Sequence, residues 1–279
     1  MLKNKYNRPE FQRLFPKRRA DSHKGDYGQV FLLAGSEGML GAAVLCSRGA
    51  LRVGAGLVYL AIAAGCRDCV NLATPEVIVA QDDRRALAAR AVAVGPGLGE
   101  RRALARKLLA KLQRNEFSGP VVLDADGLNA FAGLTDLQKL KLNLILTPHP
   151  GELARLLSQT SAAVQRDREK LAAETARRLK CVVVLKGHRT VVADGRGAVY
   201  INNTGNPGMA SGGTGDVLTG MIAGLAAQGA APFDAAAAGV YLHGLAGDLA
   251  ASERGEYGLV ASDLIDKIPQ AILRLQDAL

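Results

Sequence analysis

Apolar runs of strand length alternate with stretches of helical periodicity along most of the chain. Residues 30–34, 57–62, 91–95, 121–124, 144–146 and 182–185 are short runs rich in valine, leucine, isoleucine and alanine, as expected of strands buried on both faces. Between them, 41–53, 101–114, 128–134, 151–157 and 164–180 carry apolar positions at helical spacing. Residues 190–193 and 198–201, joined by Asp194-Gly195-Arg196-Gly197, predict a hairpin near one end of the sheet. The remainder is helical, with 217–228, 232–251 and 261–275 as the last elements. Strand–helix alternation of this kind predicts an α/β fold, with a mostly parallel sheet and helices on both faces.

In such sheets ligands bind beyond the C-terminal ends of the strands. The loops expected there are distinctive: Gly35-Ser36 with 39–43, then Gly95-Pro96-Gly97-Leu98-Gly99, 124–129, 147–152 and 186–190. Turns need glycine anyway, so each cluster alone is weak evidence, but five on one sheet edge exceed what turn chemistry requires. The most informative segment runs from Asn203 to Asp216 and reads NTGNPGMASGGTGD, directly before the helix at 217–228. Gly212, Gly213 and Gly215 leave bare N–H groups free to close round an anion, and the helix dipole adds positive potential there. A carboxylate in that first turn, Asp216, is ordinarily a cap or a dipole partner. Beside a bound phosphate it is repulsive unless it has a task, and the obvious one is accepting the proton of an attacking hydroxyl.

Composition narrows the picture. The chain of 279 residues has no tryptophan and only 4 % aromatics, so its core is expected to be closely packed aliphatic layers. No linker of low complexity divides it, which predicts a basic lead over 1–22 and one domain over 23–279. Absence of a signal-like or membrane-length apolar run predicts a cytoplasmic protein. The net charge of +9 concentrates in the first 24 residues and between 101 and 114. Without an aromatic-interleaved basic stripe, it reads as a solvated surface attractive to anionic nucleotides rather than a nucleic-acid interface. Cys66 and Cys69 form a CxxC, but no second Cys/His pair stands at zinc spacing, and with Cys46 and Cys181 they read as reduced thiols.

Several polar residues carry two readings each. His149, between Pro148 and Pro150, is either a stiffened surface residue or a side chain aimed at a ligand. Glu152 caps the following helix or holds a metal through water, with capping favoured. Lys186 is a strand-end lysine or a partner for a nucleotide phosphate. Asp124 and Asp126 orient their loop or help position Mg2+. His188 and His243 have no local case for chemistry, and the HKGDYG stretch from His23 to Gly28 either reaches a substrate phosphate or is a mobile entry segment.

Taken in order, these loops resemble those of the ADP/ATP-dependent NAD(P)H-hydrate dehydratases, a branch of the ribokinase-like superfamily. The resemblance spans roughly residues 20–275 and is carried by all the loop motifs above together with HKGDYG, the segment 203–216 being the most specific. It implies a ribokinase-like three-layer sandwich and a repair lyase that phosphorylates the hydroxyl of hydrated NADH or NADPH and eliminates phosphate. ADP is the expected donor, ATP the other candidate, with Mg2+ bridging the nucleotide phosphates. By position, Asp216 with Gly213 and Gly215 would be catalytic. Lys186, Gly187, His188, Arg189, Thr190, Asn206 and Gly215 would bind nucleotide. Ala43, Gly97, Gly99, His149 and Asp216 would bind the hydrate, while Asp124, Asp126 and Glu152 are the metal candidates. A stand-alone homotetramer, with neither nucleic acid nor membrane as partner, completes the expectation. The nearest alternative is a small-molecule kinase of the same superfamily, acting on a sugar or vitamin precursor; a basic nucleic-acid-binding protein is the other.

Overall fold

The computed structural model describes residues 2–3, 8–131 and 133–277. Among the described residues ten strands form one sheet: β1 (Leu2–Lys3), β2 (Gln29–Leu33), β3 (Leu57–Ala61), β4 (Ile78–Val79), β5 (Ala91–Val94), β6 (Pro120–Leu123), β7 (Asn143–Leu146), β8 (Val182–Leu185), β9 (Val191–Asp194) and β10 (Ala198–Ile201). Their order is β1-β10-β9-β8-β7-β6-β5-β2-β3-β4. Every pairing is parallel except those of β9, which is antiparallel to both β8 and β10. The strands are apolar throughout because both faces are covered. In β2, Val30 and Leu32 enter one core while Phe31 and Leu33 enter the other. In β8, Val182 and Val184 face the first and Val183 and Leu185 the second.

The helices are α1 (Arg8–Gln12), α2 (Leu40–Arg52), α3 (Arg67–Ala73), α4 (Arg85–Ala88), α5 (Ala103–Arg114), α6 (Asp126–Asn129), α7 (Leu134–Leu137), α8 (Pro150–Leu157), α9 (Ser161–Arg166), α10 (Arg168–Leu179), α11 (Thr214–Ala227), α12 (Pro232–Arg254) and α13 (Ala261–Gln276). Helices α2, α11, α12 and α13 cover the first core; α5, α8 and α10 cover the second. The expected helix over 164–180 is divided at Asp167, whose backbone leaves the helical region between α9 and α10. That over 128–134 is two single turns, α6 and α7, separated at the extended Gly133. The lead is not a detached arm over its described part: Phe11 is buried against Tyr200 and Tyr241, with ring centroids 5.5 and 5.2 Å away. Residues 1 and 4–7 of that lead, and 278–279, lie outside the described residues.

The strand order reverses between β2 and β5, since the chain first proceeds outward through β3 and β4 and then outward on the other side through β6 and β7. This reversal opens a cleft above the loops that follow β2 and β5. HKGDYG lies at the other edge: a Cβ on Gly28, just before β2, would stand 2.0 Å from the carbonyl oxygen of Ala227, the last residue of α11. The segment therefore braces the foot of α11 and does not reach the glycine loop at its head.

Candidate active site

Helix α11 begins at Thr214 with Gly213 as its N-cap, and Gly213 takes φ +92°, a conformation that favours glycine. Among the described residues no side chain caps this end, so the first-turn N–H groups remain directed beyond the helix. Gly212 has open space where a side chain would stand, and a Cβ on Gly213 would come within 2.4 Å of Leu45 on α2. The backbone is thus bare at a helix N-terminus, as an anion site requires. Asp216 follows in the first turn, and among the described residues its carboxylate has no hydrogen bond or ion pair. Burial, reinforced by the nearby charge of Asp124 and opposed by Lys186, pushes its pKa up to about 7.

Beneath Asp216 lies a buried polar cluster. Asp124, at the end of β6 and 1 % exposed, accepts from Lys186 Nζ through Oδ1 at 2.5 Å and from Thr219 Oγ1 through Oδ2 at 2.8 Å. Thr219 is one turn beyond Asp216, so this bond ties α11 to the sheet. Burial works against the charge of Lys186, but Asp124 and Glu152 outweigh it and raise its pKa, keeping it an ammonium. Lys186 Nζ also stands 4.0 Å from Glu152 Oε2 and 3.5 Å from where a Cβ on Gly215 would sit. It therefore reaches the head of α11 from below while paired with Asp124.

His149 caps α8. Its Nδ1 accepts from the N–H groups of Gly151 and Glu152 at 3.0 and 3.3 Å, and Glu152 Oε2 accepts the His149 N–H at 2.7 Å. Pro150 occupies the first helical turn, where its missing N–H costs nothing. The reciprocal cap accounts for Pro150 and for Glu152. It also fixes the ring: with Nδ1 accepting, the neutral imidazole carries its proton on Nε2. That side chain remains about half exposed. Burial raises the pKa of Glu152, Lys186 opposing it.

At the strand-order reversal the loops of β2 and β5 are clamped together. Gly35 N–H donates to the Pro96 carbonyl at 2.8 Å, Ser36 Oγ to that of Gly97 at 2.9 Å, and Arg101 Nη1 to that of Gly35 at 2.8 Å. A Cβ on Gly97 would meet Ala42 Cβ and the Met39 oxygen at 2.8 Å; one on Gly99 would meet Met39 Cε at 2.5 Å. Ala43 is fully buried under Gly35. Ala43, Gly97 and Gly99 are thus brought together on one side of the cleft and Lys186 to Thr190 on the other, with Asp124 and Asp216 between.

The loop after β8 is supported by Arg168, whose Nη2 donates to the carbonyls of Leu185 and Lys186 at 2.9 and 3.2 Å. Thr190 Oγ1 donates to the Gly187 carbonyl at 2.9 Å, while His188 and Arg189 face solvent. Asn206 turns out to be a local cap, its Oδ1 accepting from Gly208 N–H and its Nδ2 donating to Asp248 Oδ1. Asp248 also accepts the Gly205 N–H at 2.9 Å. His243 contributes Nε2 at 2.9 Å from the Thr214 carbonyl, and burial, against that bond, holds its pKa down to about 4, so the ring is neutral and donates. Asp248, His243 and Thr219 are thus part of the site's framework. The only sequence signal for the first two is a polar residue recurring within the alanine- and glycine-rich α12. Among the described residues, no group of three or more His, Cys, Asp or Glu side chains forms a metal cage.

A mostly parallel sheet between two helical layers, with a bare glycine loop heading a helix and a carboxylate in its first turn, defines a protein of the ribokinase-like fold class. The family model for NAD(P)H-hydrate dehydratase matches residues 30–270, and the chain belongs to that family. It is 45 % identical over 284 residues to a bifunctional NAD(P)H-hydrate repair enzyme of Moorella thermoacetica, an alignment covering 94 % of this chain and 52 % of that one. The chain therefore spans about half the length of such bifunctional relatives. It is 42 % identical to the ADP-dependent (S)-NAD(P)H-hydrate dehydratase of Neisseria meningitidis, over 91 % of this chain and 88 % of that protein. Among solved structures, the ADP/ATP-dependent NAD(P)H-hydrate dehydratase of Bacillus subtilis, co-crystallized with ATP/Mg2+, superposes with a TM-score of 0.87 at 35 % identity, covering 96 % of this chain and 97 % of that one.

Proposed function

We propose that the protein restores NADH and NADPH from their hydrates, the S epimer, by nucleotide-dependent dehydration with ADP as the preferred phosphoryl donor. The observation that carries this reading is the unpartnered carboxylate of Asp216 beside the bare amides of 212–215. Asp216 takes the proton of the ring hydroxyl as its oxygen attacks the terminal phosphorus of the nucleotide. The bond from that phosphorus to the bridging oxygen breaks and AMP leaves, when the donor is ADP. The amides of Gly212, Gly213 and Gly215 stabilise charge on the transferring group. The ring nitrogen then supplies the electron pair that expels phosphate, and loss of a neighbouring proton restores the dihydropyridine. Lys186, Gly187, His188, Arg189, Thr190 and Asn206 form the nucleotide side of the cleft; Ala43, Gly97, Gly99 and His149 form the hydrate side, where the half-exposed His149 ring holds Nε2 3.5 Å from Glu152 Oε1.

Mg2+ keeps most of its waters and leans on substrate phosphates, so it needs no three-residue cage. Asp124 and Glu152, buried beside Lys186, would hold the ion through water, and it would supply neutralisation of phosphate charge. A cytoplasmic homotetramer is part of the same proposal and rests on the family resemblance; no helix among the described residues is long and apolar enough to cross a membrane. The test is incubation with NADH hydrate, Mg2+ and either ADP or ATP, following the reduced-nicotinamide absorbance. Recovery with ADP faster than with ATP supports the proposal; no recovery with either nucleotide refutes it.

A further inference from the structure

Strands β5 and β6 interlock at their C-terminal ends. Asp124 N–H donates to the Val94 carbonyl at 3.1 Å. A Cβ on Gly95 would lie 1.8 Å from the Asp124 oxygen, and one on Gly127 would lie 2.4 Å from the Val94 oxygen. Between these contacts Ala125 adopts φ 45°, ψ −118°, a conformation rarely taken by a residue with a Cβ. The consequence is that two carboxylates one residue apart serve different partners. Asp124 goes down to Lys186 and Thr219. Asp126 goes to the loop after β5: its Oδ2 accepts the Gly99 N–H at 2.7 Å, and its Oδ1 accepts from Asn129 Nδ2 at 3.3 Å. Asn129 Oδ1 in turn accepts from Arg155 Nη1, on the helix that His149 caps.

We infer that Asp126 is a positioning residue for the dinucleotide, holding the Gly97–Gly99 loop in register with His149, and not a ligand of the metal. One of its oxygens goes to the backbone of a hydrate-side glycine and the other to the chain of side chains leading to α8, which places it on the hydrate side of the cleft. The adjacent aspartate is the one within the buried Lys186–Glu152 cluster. A capping contact alone would not require a bond across 27 residues, nor a strained alanine to aim it. This inference rests on the dehydratase reading for the identity of the ligand.

The test compares Asp126→Ala and Asp126→Asn with the wild type, varying hydrate, ADP and Mg2+ in turn. Loss of a hydrogen bond to a charged group is worth roughly ten- to a hundredfold in binding. Asp126→Ala is expected to raise KM for the hydrate by about that factor, leaving KM for ADP and the Mg2+ requirement within about twofold. Asp126→Asn, which keeps one acceptor oxygen, should recover most of the loss. A raised Mg2+ requirement together with a raised KM for ADP would make Asp126 a metal residue and overturn the inference, as would unchanged kinetics. Amide hydrogen exchange reads the same contact without any substrate. Asp126→Ala should accelerate exchange at Gly99, whereas unchanged protection contradicts the role even if the wild type were to act on another compound. Should the alanine variant not fold, the asparagine variant and Asn129→Ala, read by the same exchange, decide the matter.

Discussion

Asp216 is held where its charge is unfavourable to the fold. Its pKa is raised to about 7 from 3.8, chiefly by burial, so the folded state binds the proton more tightly than the unfolded state does. The stability penalty is absent below about pH 4, grows as pH rises toward 7 and is complete above it. At about 1.4 kcal/mol per pH unit, the penalty is on the order of a few kcal/mol. Asp216→Asn is expected to melt higher than the wild type at pH 8, with the gap closing near pH 4; a gap that widens on acidification would contradict the burial of the charge. The same variant should lose roughly two to four orders of magnitude in kcat, the usual share of a general base. For the wild type, kcat should fall with acidification below pH about 7, as the base becomes protonated. At this scale the sequence was most legible where chemistry and backbone coincide in one stretch, as in GGTGD. The roles of Thr219 and Asp248 were not legible, since Thr219 binds Asp124 across 95 positions and Asp248 binds Asn206 across 42. Nothing local marks either contact.

At the scale of elements, α2 and α11 cross closely enough that glycine is required at the contact. A Cβ on Gly220 would lie 1.8 Å from the Cys46 carbonyl oxygen, and one on Gly49 would lie 2.4 Å from that of Val217. Gly220→Ala must push α11 away from α2 and with it Asp216; a loss of stability of at least about 1–3 kcal/mol is expected from overpacking, measurable by denaturant unfolding. Gly212→Ala is the contrasting case, because its side chain would enter open space. Its stability should stay within roughly 0.5 kcal/mol of the wild type, the range of ordinary surface changes, while KM for ADP rises as the methyl enters the anion cradle. Equal losses of stability in the two variants would show that the glycine loop is kept for packing. The long elements were readable from apolar periodicity, including α11 and the β9–β10 hairpin. The breaks at Asp167 and Gly133 were not, since the periodicity continues across both positions and only the backbone departs. The two-residue strands β1 and β4 are too short to carry a period.

For the molecule as a whole, parallel strands and two helical layers followed from the alternation of patterns, but the strand order did not. That order decides which loops share the cleft: it brings the loop after β2 beside the one after β5, although β3 and β4 intervene in sequence, and sends HKGDYG to the far edge. The long α12 completes the arrangement, holding the glycine segment through His243 and Asp248 while packing against α11 and α13. A kinase of the same fold would use the same loop and the same aspartate, and would differ only in what becomes of the phosphorylated product. The fate of the phosphoryl group is therefore the most direct test. Following the reaction of NADH hydrate with ADP and Mg2+ by phosphorus NMR, the account predicts inorganic phosphate and AMP appearing in equal amounts with restored NADH. Accumulation of a stable phosphorylated compound, without release of inorganic phosphate, would contradict it.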